Sequence, residues 1–144
     1  MKEEIHMKKE LVIVYSLEGK AYALASSYAQ KQGADLARIE TVYEPKGFFK
    51  YLYFGYHSIS QKDVQLKEMS INLSEYELCT LYAPIHAGRV ASPAISFLKI
   101  HLTEMKKINL VLGHSAKDDD YLQSAHWVEE KLAFKFNQIQ SITI

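Results

Sequence analysis

Apolar positions along the chain fall into two kinds of spacing. Leu11, Val12, Ile13, Val14 and Tyr15 form an unbroken run, as in a strand covered on both faces within a parallel sheet. After Gly19, residues Ala21, Leu24, Ala25 and Tyr28 recur at helical spacing, and Gly33 closes that helix. From Leu36 to Val42 apolar and polar residues alternate around Ala37, Ile39 and Thr41, which predicts a strand exposed on one side. A second unbroken run, Leu78, Cys79, Thr80, Leu81 and Tyr82, leads into a loop over 83–91. Ser92 is then read as a helix N-cap and Pro93 as the first helical residue, with Ile95, Leu98 and Leu102 as the apolar stripe. The third buried-type strand runs from Ile108 to Leu112. Asp118, Asp119 and Asp120 precede a helix carrying Leu122, Ala125, Val128 and Leu132, where negative charge suits the helix N-terminus. Ile139, Ile142 and Ile144 mark a last strand.

The order is strand, helix, strand, an irregular stretch, then strand, helix, strand, helix, strand. This alternation predicts an α/β fold with a parallel sheet. The three unbroken runs suit central strands, and the second and fifth strands suit edges. The order 2-1-3-4-5 satisfies both. Ligands in such sheets sit at the carboxyl ends of the strands, where the strand order reverses. The loops over 16–21 and 83–89 meet at that point.

Composition narrows the function classes. Lys plus Arg and Asp plus Glu are both 17, a net charge of zero. That lacks the basic excess of a nucleic-acid binder. No apolar run is long enough for a membrane span. Residues 1–9 are charged without an apolar core, so they read as a flexible leader and not a signal peptide; 10–144 form one domain. A single cysteine, Cys79, cannot form an internal disulfide and reads as a buried, inert thiol. The expected location is cytoplasmic.

Phe48, Phe49, Tyr51, Leu52, Tyr53, Phe54 and Tyr56 crowd one segment. A core-packed segment and partial lid is the first reading, with a dimer contact or, given Lys46 and Lys50, a membrane-surface contact beside it. Phe48, Phe54 and some of the tyrosines are expected to be buried within the chain or against a second copy.

Several segments together resemble the flavodoxin family, from the first strand to nearly the last residue. Val14-Tyr15-Ser16-Leu17-Glu18-Gly19 resembles the start of the family's flavin phosphate loop. Gly33-Ala34-Asp35-Leu36 resembles the approach to its second strand, and Leu73-Ser74-Glu75-Tyr76-Glu77-Leu78 the approach to its third. Lys46-Gly47-Phe48-Phe49-Lys50-Tyr51 resembles an aromatic insert of a short-chain branch. Ala83-Pro84-Ile85-His86-Ala87-Gly88 resembles the loop usually read Thr-Pro-Val-Trp-Ala-Gly. The resemblance implies a three-layer flavodoxin-like sandwich. It implies noncovalent FMN, used for electron transfer with a redox partner protein or for reduction of a small acceptor.

On that reading the cofactor-binding residues are Ser16, Leu17, Glu18, Gly19, Lys20, Ala21, Pro84, Ile85, His86, Ala87, Gly88, His114 and Ser115, with no catalytic residue and no metal. A strand-to-helix loop offers free N–H groups to a phosphate. Lys20 and Ala21 stand where the family usually has Asn and Thr, and His86 where it often has Trp. His86 can be cationic near neutral pH or can hydrogen-bond the ring edge, and can face His114 across the site. Arg89 either attracts an anionic substrate or is solvated. A second function class stays open, a binding or regulatory module of the same fold without flavin. Lys20, Ala21 and His86 favour it; Gly19, Pro84, Ala87 and Gly88 favour FMN.

Overall fold

A computed structural model describes residues 8–144, with Lys8 described by its backbone. Strand β1 spans Lys8–Val14. It therefore includes Lys8 and Lys9, which the sequence reading put in the leader; residues 1–7 lie outside the described residues. Helix α1 spans Lys20–Gln32, and β2 spans Asp35–Arg38. Then follow α2 (Phe49–Ser60), β3 (Tyr76–His86), β4 (Arg89–Val90) and α3 (Ser92–His101). The chain closes with β5 (Ile108–His114), α4 (Leu122–Leu132) and β6 (Gln138–Thr143).

The sheet order is β2-β1-β3-β5-β6, all parallel, with β4 folded back antiparallel on β3. Five parallel strands thus stand in the order the sequence predicted. Leu11 to Val14 are fully buried, because their alternate side chains enter two cores. Leu11 and Ile13 pack with Leu81, Leu110, Phe97 and Val128 on one face. Val12 and Val14 pack under Ala21, Ala25 and Ala29 of α1 on the other. The three alanines let α1 lie close to the sheet. Gly33 ends it in the left-handed conformation (φ 64°), its N–H reaching back to the last helical carbonyls.

Four local readings are corrected. Pairing in β2 stops at Arg38, although Ala37, Ile39 and Thr41 keep the predicted inward alternation. Past Arg38, Thr41 makes only an isolated bridge to Leu66. The 83–91 loop is largely strand, since β3 continues to His86 and turns directly into β4. Ser92 is the first residue of α3, with Ala91 at the cap position and no side-chain cap. The irregular aromatic stretch is helix α2. Phe54 and Ser58, one turn apart, form its buried line. Apolar residues on its outer side as well hide the helical period from a sequence reading. Phe54 is fully buried, as expected, but Phe48 is 70% exposed within the chain. No helix among the described residues is long and apolar enough to cross a membrane.

Candidate functional site

The carboxyl ends of β1, β3 and β5 open onto one cleft of about 210 Å3. Three loops that the sequence placed near one another line it. From the first come Ser16, Leu17, Glu18, Lys20 and Ala21; from the second Pro84, Ile85 and His86; from the third His114 and Ser115. Gly19, Ala87 and Gly88 are not in its wall. They shape the backbone that carries it.

The first loop begins where β1 ends. The Gly19 N–H donates to Ser16 Oγ at 2.8 Å, which folds the loop over 16–19 into a tight turn. Gly19 stands at the N-cap of α1 with φ 99°, a conformation costly for any residue with a Cβ. Its carbonyl accepts from Ala23 at 2.9 Å, and no side chain caps the helix. The N–H groups of the first turn, from Lys20 to Tyr22, therefore have no intrahelical acceptor. They carry the positive end of the helix dipole. The Lys20 ammonium adds a full charge, while the exposed Glu18 carboxylate opposes it. Ala21 is 5% exposed, its methyl packed toward Val12 and Val14.

The second loop is a hairpin. His86 pairs with Arg89 across Ala87 and Gly88, whose φ values are 51° and 79°. Two consecutive positive φ values make the two-residue type I′ turn that suits strand twist. His86 is thereby held at the strand end, and its ring meets Tyr15 edge-on at 5.9 Å and Phe54 at 6.3 Å. Burial pushes its pKa down to about 4. The imidazole is therefore neutral at pH 7, and its surroundings move its charge change below the ordinary range near neutrality. Its Nδ1 is buried without a hydrogen-bond partner, and so is the Tyr15 hydroxyl. Burial first, and then the Glu44 carboxylate, push the Tyr15 pKa up. Arg89 is not in the wall of this cleft; its guanidinium lies over Trp127, 5.4 Å from the ring centroid.

The third loop holds His114 in a different way. Its Nδ1 lies 2.9 Å from the Ala116 carbonyl, and its Nε2 2.6 Å from Ser141 Oγ. A carbonyl only accepts, so Nδ1 donates to it, and the serine hydroxyl pairs with Nε2. The ring stacks edge-on with Tyr121 at 5.0 Å. His114 and His86 both line the cleft, His86 packed against Tyr15 and Phe54 and His114 against Tyr121.

Three residues join the wall that sequence reasoning did not assign to it: Tyr51, Gly113 and Ile144. Tyr51 belongs to the aromatic segment, and only the helical form of that segment decides which ring reaches the cleft. Ile144 comes from the parallel register of β6, its N–H donating to the His114 carbonyl at 2.7 Å. A Cβ on Gly113 would stand 2.8 Å from Ile144 Cδ1, so the glycine makes room for that side chain. No local motif marks Ile144. Cys79 is buried in the core and its thiol is pushed up to about 11 by burial, so it stays protonated and unreactive.

No protein-family model and no curated protein matches the sequence. Solved structures do. A flavoprotein of Lactobacillus acidophilus in complex with FMN superposes with a TM-score of 0.73 at 14% identity, over 92% of each chain. A protein of Bacteroides eggerthii assigned as a flavoprotein superposes with a TM-score of 0.79 at 14% identity, over 92% of this chain and 86% of its own. The fold is flavodoxin-like. A short-chain flavodoxin associated with a bacterial microcompartment agrees at a TM-score of 0.53 and 8% identity, over 96% of this chain and 85% of its own. In this flavodoxin-like frame the cleft lies where the strand order reverses, beside β1 and β3.

Proposed function

We propose that the cleft binds FMN noncovalently and that the protein serves in electron transfer or in reduction of a small acceptor. The observation that carries this reading is the uncapped N-terminus of α1 in the wall of the cleft, with Lys20 beside it. Free backbone donors, a helix dipole and an ammonium group together suit a phosphate dianion. Pro84, Ile85, Tyr51 and Ile144 supply the apolar and aromatic surface that a flavin ring needs. The residues present therefore fit the group, and the fold's solved neighbour in complex with FMN supports the same reading.

FMN would supply the redox chemistry, taking up and releasing electrons. The chain would supply the rest. The backbone N–H groups of Lys20 and Ala21 would hold the phosphate. Pro84, Ile85 and His86 would border the ring, and Tyr51 and Ile144 would exclude water. A neutral His86 adds no positive charge to the cleft at pH 7, so it does not favour a reduced, anionic flavin by charge.

Two features favour the second reading, a regulatory module without flavin. Glu18 lies in the cleft wall, and Ala21 brings no hydroxyl to the phosphate position. Titrating the apo-protein with FMN and following quenching of flavin fluorescence separates the two. Saturable quenching at micromolar FMN supports the first. No binding at high micromolar FMN overturns it and leaves the module reading.

A further inference from the structure

Outside the cleft, the outer face of α2 is the largest unexplained apolar feature. Phe49, Leu52, Tyr56 and Ile59 are each more than half exposed, as is Phe48 at the helix cap. Their positions, with steps of three, four and three, fall on one side of the helix. That side is opposite the buried pair Phe54 and Ser58. Aromatic side chains each carry ~150–250 Å2 of surface. At the observed exposures the five groups amount to roughly 600–700 Å2 per chain. A stable protein interface takes ~800 Å2 from each partner, and the largest patch on an ordinary monomer is ~300–600 Å2.

The spacing of the stripe is also symmetric. Phe49 and Ile59 lie five residues either side of position 54, and Leu52 and Tyr56 lie two either side. Run antiparallel to a copy of itself, the stripe brings Phe49 against the copy's Ile59 position, and Leu52 against its Tyr56 position. A two-fold interface requires this reciprocity. Gly55 flanks the stripe, and a Cβ there would meet nothing within 4 Å, so a second helix can approach closely. Of the neighbouring cations, Lys46 is exposed, while Lys50 and Lys62 lie against rings of the helix. Lys50 Nζ lies 5.4 Å from the Tyr51 ring and Lys62 Nζ 5.0 Å from the Tyr56 ring. A membrane surface would need such charges free to reach anionic headgroups.

We propose that α2 is the self-association surface of this protein. Two copies pair through antiparallel α2 helices, with Phe49, Leu52, Tyr56 and Ile59 interleaved across a two-fold axis. The pairing uses the face of α2 opposite Phe54, so it does not depend on flavin in the cleft. Sedimentation equilibrium on the full chain, purified free of flavin, tests it. Wild type is expected to be a dimer at tens of micromolar, and Leu52→Glu and Ile59→Glu each to weaken dimerisation at least tenfold with unchanged far-UV circular dichroism. A second measurement does not rely on loss of association. When Leu52→Cys and Tyr56→Cys chains are mixed and oxidised, the mixed disulfide is expected to exceed either symmetric one. A wild-type monomer at several hundred micromolar overturns the proposal. So does a dimer indifferent to both charges, or symmetric disulfides in excess. A monomer that instead sediments with vesicles of equal phosphatidylcholine and phosphatidylglycerol also overturns it and gives the face to a membrane.

Discussion

Tyr15 and His86 meet edge to face, ring centroids 5.9 Å apart, at the ends of adjacent strands β1 and β3. Neither the tyrosine hydroxyl nor the histidine Nδ1 has a hydrogen-bond partner. Phe54 of α2 closes the same cluster at 6.0 Å from Tyr15. The aromatic helix is thus fastened to the strand ends through ring contacts with Tyr15 and His86, which leave two polar atoms unpaired. An unpaired buried polar atom costs about 1–3 kcal/mol.

His86→Phe is expected to be neutral or stabilising at pH 7, because it removes one of those atoms and keeps the ring. It also changes the pH dependence. The folded pKa of about 4 lies below the unfolded value of about 6.5. Between these values the unfolded chain binds more protons, so stability falls as pH drops from 6.5 towards 4. The full shift corresponds to a few kcal/mol at most, on the order of 3–4. Urea unfolding at a series of pH values should show a smaller loss in His86→Phe than in wild type. Equal slopes in the two proteins would mean that His86 is not desolvated.

Lys20→Ala is expected to weaken FMN binding several-fold, and the difference should shrink in high salt, because an exposed ammonium acts through a screened field. Ala21→Ser should tighten binding about tenfold if its added hydroxyl reaches the phosphate, since ~1.4 kcal/mol is a factor of ten. Serine is the smaller of the two hydroxyl residues and strains the packing with Val12 and Val14 least. Fluorescence titration at low and high salt reads both. A Lys20→Ala protein with wild-type affinity would move the phosphate away from α1.

Glu129 is 6% exposed and closes the turn after α4. Its Oε2 accepts the Phe136 N–H at 2.7 Å, and its Oε1 lies 2.8 Å from His126 Nδ1. Burial works to raise its pKa, but the hydrogen bonds from His126 and the Phe136 backbone outweigh it and the net shift is down. A carboxylate held below its unfolded pKa contributes stability above that pKa and loses it as pH falls through the folded value. Glu129→Ala should cost about 1–3 kcal/mol at pH 7, leaving the buried Phe136 N–H unpaired. Denaturant midpoints at pH 7 and pH 3 should show the two proteins converging at the acid end.

Ala87 holds φ 51° in the hairpin turn. A left-handed conformation costs an L-residue with a Cβ roughly 1–2 kcal/mol, and glycine or asparagine relieves part of it. Ala87→Asn should therefore raise stability by up to ~1 kcal/mol without changing the cleft, whose wall excludes Ala87. A lower melting temperature in that variant would count against the type I′ turn.

Much of the fold was legible because burial on both faces writes itself as unbroken apolar runs. Leu11 to Tyr15, Leu78 to Tyr82 and Ile108 to Leu112 read as central strands, and Gly33 as the end of a helix. The alternation of strands and helices then pointed to a parallel sheet, and the contrast between central and edge patterns to its order. The loops at 16–21 and 83–89 were also placed at one end of the sheet, since connectivity puts them there, whereas His114 and Ser115 entered only through the family resemblance.

What the sequence left open depends on which side chains share a dielectric. His86 looks like an ordinary titrating histidine until Tyr15 and Phe54 desolvate it. His114 is indistinguishable from it in sequence, yet the Ala116 carbonyl and the Ser141 hydroxyl occupy both its nitrogens. The aromatic stretch carries apolar residues around its whole circumference, so its period was invisible. Only packing of Phe54 and Ser58 against the body made it a helix, and that same packing turned Phe49, Leu52, Tyr56 and Ile59 outward. Local sequence determines whether a segment can be buried; the tertiary contacts decide which face is, and with it the charge state and exposure of each group.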